Sequence, residues 1–386
     1  MSFTFIDLFA GIGGFHQAMT QLGGECVFAS EIDKYAIETY KRNFNIDSYC
    51  DICEVDVEDI PAHDVLCAGF PCQSFSIAGH CQGFNDETRG TLFFEIERIL
   101  KYHTPKYIIL ENVKNLTSHD KGKTWKVMEE HLHKVGYRLT EQPLVISPHH
   151  FGIPQLRERV IILGLYDPKN INQPLEIDLG ELKSKDDNSI YSILDKRVNK
   201  KYNISDEEEK VLNMWDEFYQ GIDLDIIGFP IWFDWLKEQP TEDMSKWRKR
   251  VIERNNDLYQ RNKEFIDSWS QKYDNLKWCT KVQKKFEWQA GNRIDSLWEG
   301  LIQFRQSGIR VKAPNCFQTL VAMVQTPIIG KYKRRLTVKE AARLQSFSND
   351  FILNENEKQA YKQLGNAVNV EVIKRCAKEL FKLGEG

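Results

Sequence analysis

The segment GFPCQSFSIAG, residues 69 to 79, holds the side chain of greatest chemical consequence, Cys72. The apolar run 64–68 reads as a strand, and the Gly-Phe-Pro turn after it delivers Cys72 to the carboxyl edge of a sheet, where doubly wound sheets bind ligands. A thiol in that place becomes a nucleophile once backbone amides or a nearby cation stabilise its thiolate. The other eight cysteines, at 26, 50, 53, 67, 81, 279, 316 and 376, read as reduced, inert thiols in strands or helices, without the even spacing of a disulfide scaffold. Cys50 and Cys53 form a lone CxxC without the second pair a closed zinc site needs, and the histidines at 131, 133, 149 and 150 lack ligand spacing, so no metal is expected.

A second reactive group follows from the strand 106–110, which ends in Glu111, Asn112 and Val113 at the same edge. A carboxyl enclosed there can have a raised pKa and hand a proton to a ring nitrogen. Further on, QLRER places Arg157 and Arg159 two apart at the start of another strand, so both are expected on one face, where paired guanidiniums suit a phosphate or a carbonyl oxygen. Near the start, the first strand runs into DLFAGIGG, Asp7 to Gly14, a turn whose glycines let backbone approach a nucleotide-like ligand. Position 16 is His, which breaks the GxGxxG fingerprint and disfavours a dinucleotide dehydrogenase. Glu31 follows about 20 residues later at the end of the next strand, where an acid can hold both ribose hydroxyls, although by itself it reads equally as an ordinary exposed carboxylate.

The elements that must position these groups alternate. Strands are expected at 3–9, 25–30, 64–68, 106–110 and 159–164, with helices near 13–22, 33–43, 91–101 and 123–135, which predicts a doubly wound α/β fold with a mostly parallel sheet. Beyond residue 168 the composition changes, and eight of the nine tryptophans lie between Trp215 and Trp298, as for a separate domain with a small aromatic core. The segment 357–386 reads as one or two helices able to pack back on the first sheet. Residues 73–90, rich in Gly, Ser, Asn and Asp, read as a lid.

A net charge of −4 argues against attachment to nucleic acid by bulk attraction, so phosphate contacts must be local. Two clusters qualify: seven basic residues against two acidic ones from Lys246 to Lys263, and Lys331, Lys333, Arg334 and Arg335. A solvated helix face explains the first equally well. No basic leader, cleavage pattern or membrane-length apolar run is legible, so the protein is expected in the cytoplasm, without a membrane partner.

Taken in order, DLFAGIGG, GFPCQSFSIAG, ENV, QLRERV, RRLTVKEAARLQSF and QLGNAVNV resemble the blocks of the cytosine carbon-5 DNA methyltransferase family, above all the bacterial enzymes of type II restriction-modification systems. The resemblance covers 3–167 and 334–370. It implies a Rossmann-like catalytic domain over 1–175 completed by a helix within 357–386, a target recognition domain over 176–333, and a hinge over 334–356. The implied cofactor is S-adenosyl-L-methionine, leaving as S-adenosyl-L-homocysteine. Phe9, Ala10, Gly11, Ile12 and Gly14 would line its methionine and adenosine, Glu31 would bind its ribose, and Asp51 and Ile52 would flank its adenine. Ile32 stands where relatives often carry a stacking aromatic, and Pro71, Leu92, Asn366, Ala367 and Val368 would complete the pocket.

The same resemblance makes Cys72 the nucleophile, Glu111 the acid at ring nitrogen 3, and Arg159, with Arg157 beside it, the catalytic arginines. Double-stranded DNA would be the partner of Gln73, Ser76 and Arg89, with the target cytosine flipped out of the duplex. A monomer is implied, together with a cognate restriction endonuclease in the same system. A transfer-RNA cytosine methyltransferase of the same family and a catalytically silent DNA-binding relative are the alternatives; the variable region of about 160 residues favours a DNA reader, and intact Cys72, Glu111 and Arg159 argue against silence.

Overall fold

The computed structural model describes residues 2–70, 92–223, 229–320 and 325–384. They fall into two compact units, one made of Met1–Asn188, Gln318–Ala322 and Ala341–Gly386, the other of Ser189–Phe317 and Met323–Glu340.

In the first unit β1 (Phe3–Leu8), α1 (Gly14–Thr20), β2 (Gly24–Ser30), α2 (Lys34–Phe44), β3 (Val65–Gly69), α3 (Leu92–His103), β4 (Tyr107–Val113) and α4 (Lys123–Val135) alternate. The short strands β5 (Tyr137–Leu139), β6 (Leu144–Ile146) and β7 (Gln155–Leu156) then lead into β8 (Arg159–Tyr166). The main sheet runs β2-β1-β3-β4-β8-β5, with β6 also paired to β8. From β2 to β4 every pairing is parallel. β8, by contrast, runs antiparallel to β4, β5 and β6. The mostly parallel sheet expected from the alternation is thus parallel only over its first four strands. No α-helix separates β5 and β6 from β8, so these strands return as short antiparallel connections instead of crossing over.

β3 and β4 read as unbroken apolar runs because both their faces are covered, and Leu66, Ala68, Ile108 and Leu110 sit in one core with Phe93, Ile96 and Leu100 of α3 and Met128 and Leu132 of α4. The chain leaves β1 for β2 on one side and for β3 on the other, which opens a crevice at the carboxyl ends of these strands. Register keeps the ends level: Leu8 lies beside Ser30, and Gly69 beside Glu111. The first unit is completed by α9 (Glu357–Asn366) and α10 (Val370–Leu383), after α8 (Val338–Leu344) has crossed the division between units. Lys362 of α9 pairs with Asp33 at 3.0 Å, and Gln363 Nε2 donates to the Tyr35 carbonyl at 2.8 Å. Phe381 of α10 meets Phe3 edge-on at 5.0 Å between ring centroids.

The second unit contains α5 (Asp206–Gly221), β9 (Ile231–Trp232), α6 (Lys246–Arg261), α7 (Lys263–Lys272), β10 (Lys285–Trp288), β11 (Leu301–Arg305) and β12 (Gly308–Lys312). After β13 (Phe317–Gln318), β14 (Ile328–Ile329) and β15 (Arg334–Arg335) complete a sheet of order β15-β14-β11-β12-β10-β9. Its core is aromatic, as the tryptophan count leads one to expect: Trp215, Trp269, Trp288, Phe218 and Phe286 are all buried in one cluster, with Trp215 stacked on Phe286 at 5.0 Å. Ser205 caps α5 and Glu208 reaches back to it, the box that Ser-Asp-Glu-Glu spells in the sequence.

Candidate active site

One cavity of about 480 Å³ lies at the carboxyl edge of the first unit's sheet. Phe9, Gly11, Ile12, Glu31, Ile32, Asp51, Ile52, Leu92, Glu111, Arg157, Arg159 and Asn366, all singled out from the sequence, line it. Ala10, Ala367 and Val368 are buried behind that lining. Gly14 serves packing: a Cβ on it would stand 2.7 Å from Val368 Cγ2, so only glycine lets the start of α1 sit against the C-terminal segment. Pro71, Cys72, Gln73, Ser76 and Arg89, and with them the expected lid, lie outside the described residues.

At the glycine end, Phe9 takes a left-handed conformation with φ of 55°, unusual for a bulky residue, and turns the chain sharply off β1. The Glu31 carboxylate is held by three backbone amides, Gly11 on one oxygen and Ile32 and Asp33 on the other, each at 2.8 Å. It is thereby fixed at the cavity wall with acceptor capacity to spare for a pair of hydroxyls. Ile32, 67% exposed, presents an uncovered apolar face beside it. Apolar Ile52 and Leu92 and the acids Glu31 and Asp51 together suit a nucleoside with a flat apolar base and a diol.

At the other end, Glu111 is largely buried but open to the cavity, and Arg159 Nε lies 3.2 Å from its Oε1. Burial pushes the Glu111 carboxyl above the usual carboxylate range, while the guanidiniums of Arg159 and Arg157 oppose that shift. Asn112, which no separate signal marked beyond its place in ENV, donates to the Phe70 carbonyl at 2.9 Å and accepts from Val113 N at 2.8 Å. It ties the end of β4 to the residue just after β3.

Arg157 and Arg159 both line the cavity and both act on Glu111, as their spacing leads one to expect, but their guanidiniums have different partners. The strand is interrupted between β7 and β8, with Arg157 before β8 and Arg159 its first residue. Arg157 is buried and its guanidinium donates to the carbonyls of Leu320 at 3.3 Å, Gly365 at 3.0 Å and Ala367 at 2.9 Å. Two of these are carbonyls at the C-terminal end of α9, which the helix itself leaves unsatisfied. Burial lowers the Arg157 pKa to about 9. Lys362 and Gln363, on the same helix, line the cavity and had no sequence signal of their own.

Several cysteine and charge expectations are also corrected. Cys50 and Cys53 lie in the loop after α2, not in a regular element, and Cys50 lines the cavity. Burial pushes the Cys26 and Cys376 thiols up to about 12 and that of Cys67 well above its ordinary value, so these are no nucleophiles at neutral pH. The second basic cluster is largely spent within its own unit: Lys333 pairs with Glu209 at 2.6 Å, Arg334 with buried Glu340 at 2.8 Å, and Arg335 with Glu208. Among the described residues no His, Cys, Asp and Glu cluster could hold a metal, and no helix is long and apolar enough to cross a membrane.

A crevice beside β1, a glycine turn facing an acid on β2, and a protonatable carboxyl paired with an arginine in the same cavity define an α/β enzyme that acts with a nucleoside-type cofactor. The chain belongs to the C-5 cytosine-specific DNA methylase family, whose model matches residues 3–382, and is accordingly a cytosine carbon-5 DNA methyltransferase. It is 34% identical to the type II methyltransferase M1.ScrFI of Lactococcus lactis subsp. cremoris over 98% of this chain and 78% of that protein. It is 35% identical to the type II methyltransferase M.BanI of Aneurinibacillus aneurinilyticus over 99% and 96%. The fold is similar to that of the Entamoeba histolytica methyltransferase EhMeth, with a TM-score of 0.58, 18% identity and full coverage of both chains.

Proposed function

We propose that this enzyme is the methyltransferase of a type II restriction-modification system, working in the bacterial cytosol on one short duplex sequence, with the second unit as its target recognition domain. The relatives' names support the system, and the reading of the chemistry rests above all on one observation: Glu31 and the Glu111–Arg159 pair line a single cavity. Glu31 would hold the ribose of S-adenosylmethionine, Ile52 and Asp51 its adenine, and the turn from Phe9 to Ile12 its methionine. Bound there, S-adenosylmethionine supplies a methyl group on a sulfonium centre, the electrophile that carbon 5 of cytosine needs.

Carbon 5 is a poor nucleophile until the ring is activated. The Cys72 thiolate forms a bond to carbon 6 of the flipped base, the ring double bond shifts toward carbon 4, and nitrogen 3 takes the proton of Glu111. Arg159 holds the ring carbonyl oxygen and the Glu111 carboxylate that this transfer leaves behind. Carbon 5 would then bond to the methyl group, whose bond to the sulfonium sulfur breaks with its electron pair left on departing S-adenosylhomocysteine. A base takes the carbon-5 proton, that electron pair restores the 5,6 double bond, the carbon–sulfur pair returns to Cys72, and nitrogen 3 gives its proton back to Glu111. Arg157 acts as a positioning residue, holding the 365–367 segment at the cavity wall.

The test is expression in a host without cytosine methylation, with bisulfite mapping of its genomic DNA against an empty vector. Methylation confined to one short sequence is expected. None, from protein that binds S-adenosylmethionine, would overturn DNA as the substrate and favour an RNA substrate or a silent relative.

A further inference from the structure

The sheet of the second unit has one face that its core does not use. Ile302, Phe304, Ile309, Val311, Phe286 and Trp288 point into the aromatic core. Apart from Leu301 and Gly308, the alternate residues of the same three strands are polar, and pairing aligns Glu287, Arg310 and Gln303 in one row across β10, β12 and β11, with Arg305 two residues beyond Gln303. Arg310 places both Nε, at 2.8 Å, and Nη2, at 2.7 Å, on Glu287 Oε2. Arg305 lies within the field of both, repelled by Arg310 and attracted by Glu287. Its Nη1 is shielded from water yet has no hydrogen-bond partner among the described residues.

Two guanidiniums therefore share one carboxylate already taken by the first, and the second is left short of an acceptor. A buried donor without a partner is costly, so a structural role would have supplied one. Arg305 as a whole is only partly buried, so an acceptor arriving from outside can reach the guanidinium. Its strands, β11 and β12, are the central pair of the six-stranded sheet and turn back on each other through Gln306 and Ser307, and Arg305 forms the last pair of that hairpin, with Gly308. The end of the hairpin, past the residues that pair with β14 and β10, is two strands wide, a shape that the major groove, about 12 Å wide, admits. On these three strands the face carries Lys285, Arg305, Arg310 and Lys312 with one acid, Glu287, among the described residues, a charge that complements a duplex.

We propose that Arg305 reads a guanine of the recognition sequence in the major groove, oriented by the Glu287–Arg310 pair behind it; this rests on the reading of the second unit as the target recognition domain. A guanidinium offers two parallel donors, and guanine offers N7 and O6 as the matching acceptors.

The experiment measures methylation kcat/KM on duplexes carrying the sequence found by bisulfite mapping, with each guanine replaced singly by 7-deazaguanine, which lacks the N7 acceptor. The wild-type enzyme is expected to lose roughly ten-fold or more at one guanine. R305A is expected to lose a similar factor on the natural duplex and to be indifferent to that one replacement, with S-adenosylmethionine binding unchanged. R305K should not restore the contact, since one ammonium cannot make it two-pronged. An R305A enzyme as sensitive as wild type to every replacement overturns the proposal, as does a wild type indifferent to all of them. A loss uniform across sequences, with the salt slope of binding reduced by about one, makes Arg305 a phosphate contact and overturns it too. If the wild type methylates no DNA, the functional reading falls first, before any variant is made.

Discussion

Arg159 stands diagonally across from Glu111 on the antiparallel β4–β8 pair: Glu111 lies opposite Ile161, and Arg159, two residues earlier on the same face, brings its Nε to 3.2 Å from Glu111 Oε1. Because β8 runs antiparallel, its amino end meets the carboxyl ends of the parallel strands, and acid and cation arrive at the same edge.

This pair predicts a pH dependence. In the proposed mechanism the protonated Glu111 is the working form, and burial raises its pKa above the ordinary carboxylate value of about 4.3. Activity should persist above that value and fall as pH rises through the folded pKa. Arg159 favours the carboxylate, so Arg159→Gln should shift this falling limb to higher pH in a single-turnover profile, besides lowering the rate. Glu111→Gln should lower methyl transfer roughly 10²- to 10⁴-fold with S-adenosylmethionine binding retained. A limb that stays in place in the Arg159 variant would show that Glu111 does not set it.

Cys72 is expected to bond covalently to the base. On DNA carrying 5-fluorocytosine at the target, no proton can leave carbon 5, so the wild-type enzyme should form an adduct that survives denaturing electrophoresis. Cys72→Ser should form none and transfer no methyl group, since a serine hydroxyl is far less ionised than a thiol at neutral pH. An active serine variant would reassign the nucleophile.

Arg157 should act through stability and pocket order. Arg157→Lys leaves one nitrogen for three carbonyls, at Leu320, Gly365 and Ala367. We expect a loss on the order of 3 kcal/mol in urea unfolding and weaker S-adenosylmethionine binding by calorimetry. Unchanged stability would rule out the clamp.

Asp7, under the glycine turn, is fully buried, and its carboxyl oxygens make no hydrogen bond of ordinary geometry. Burial raises its pKa well above the ordinary value, and nearby Glu31 adds to the shift, while the His16 backbone and the Tyr40 hydroxyl oppose it. The folded pKa therefore exceeds the unfolded one of about 3.9: the cost is absent below that pH and grows as pH rises toward the folded value. Asp7→Asn should be more stable than wild type at pH 8, with the gain shrinking toward pH 5. Thermal unfolding across that range checks it, and a gain independent of pH would show that Asp7 is not held protonated.

The local sequence was sufficient for much of this enzyme. Apolar runs closed by turn residues locate β1, β2, β3 and β4 to within a few residues, and Glu31 and Glu111 are legible because each follows such a run. These features depend on near neighbours in the chain, through strand alternation and the special backbone of turns. Tertiary structure alone decided the direction of β8, which depends on the strand it finds as a partner. It also gave Arg157 partners that Arg159 does not share, since the carbonyls that hold Arg157 come from residues more than 160 positions away. For the same reason the cluster at 331–335 looked like a phosphate site: Glu208 and Glu209, which engage two of its cations, lie more than 120 positions earlier in the chain. Charge and hydrogen-bond partners are set by distance in space, which a linear reading of residues does not contain.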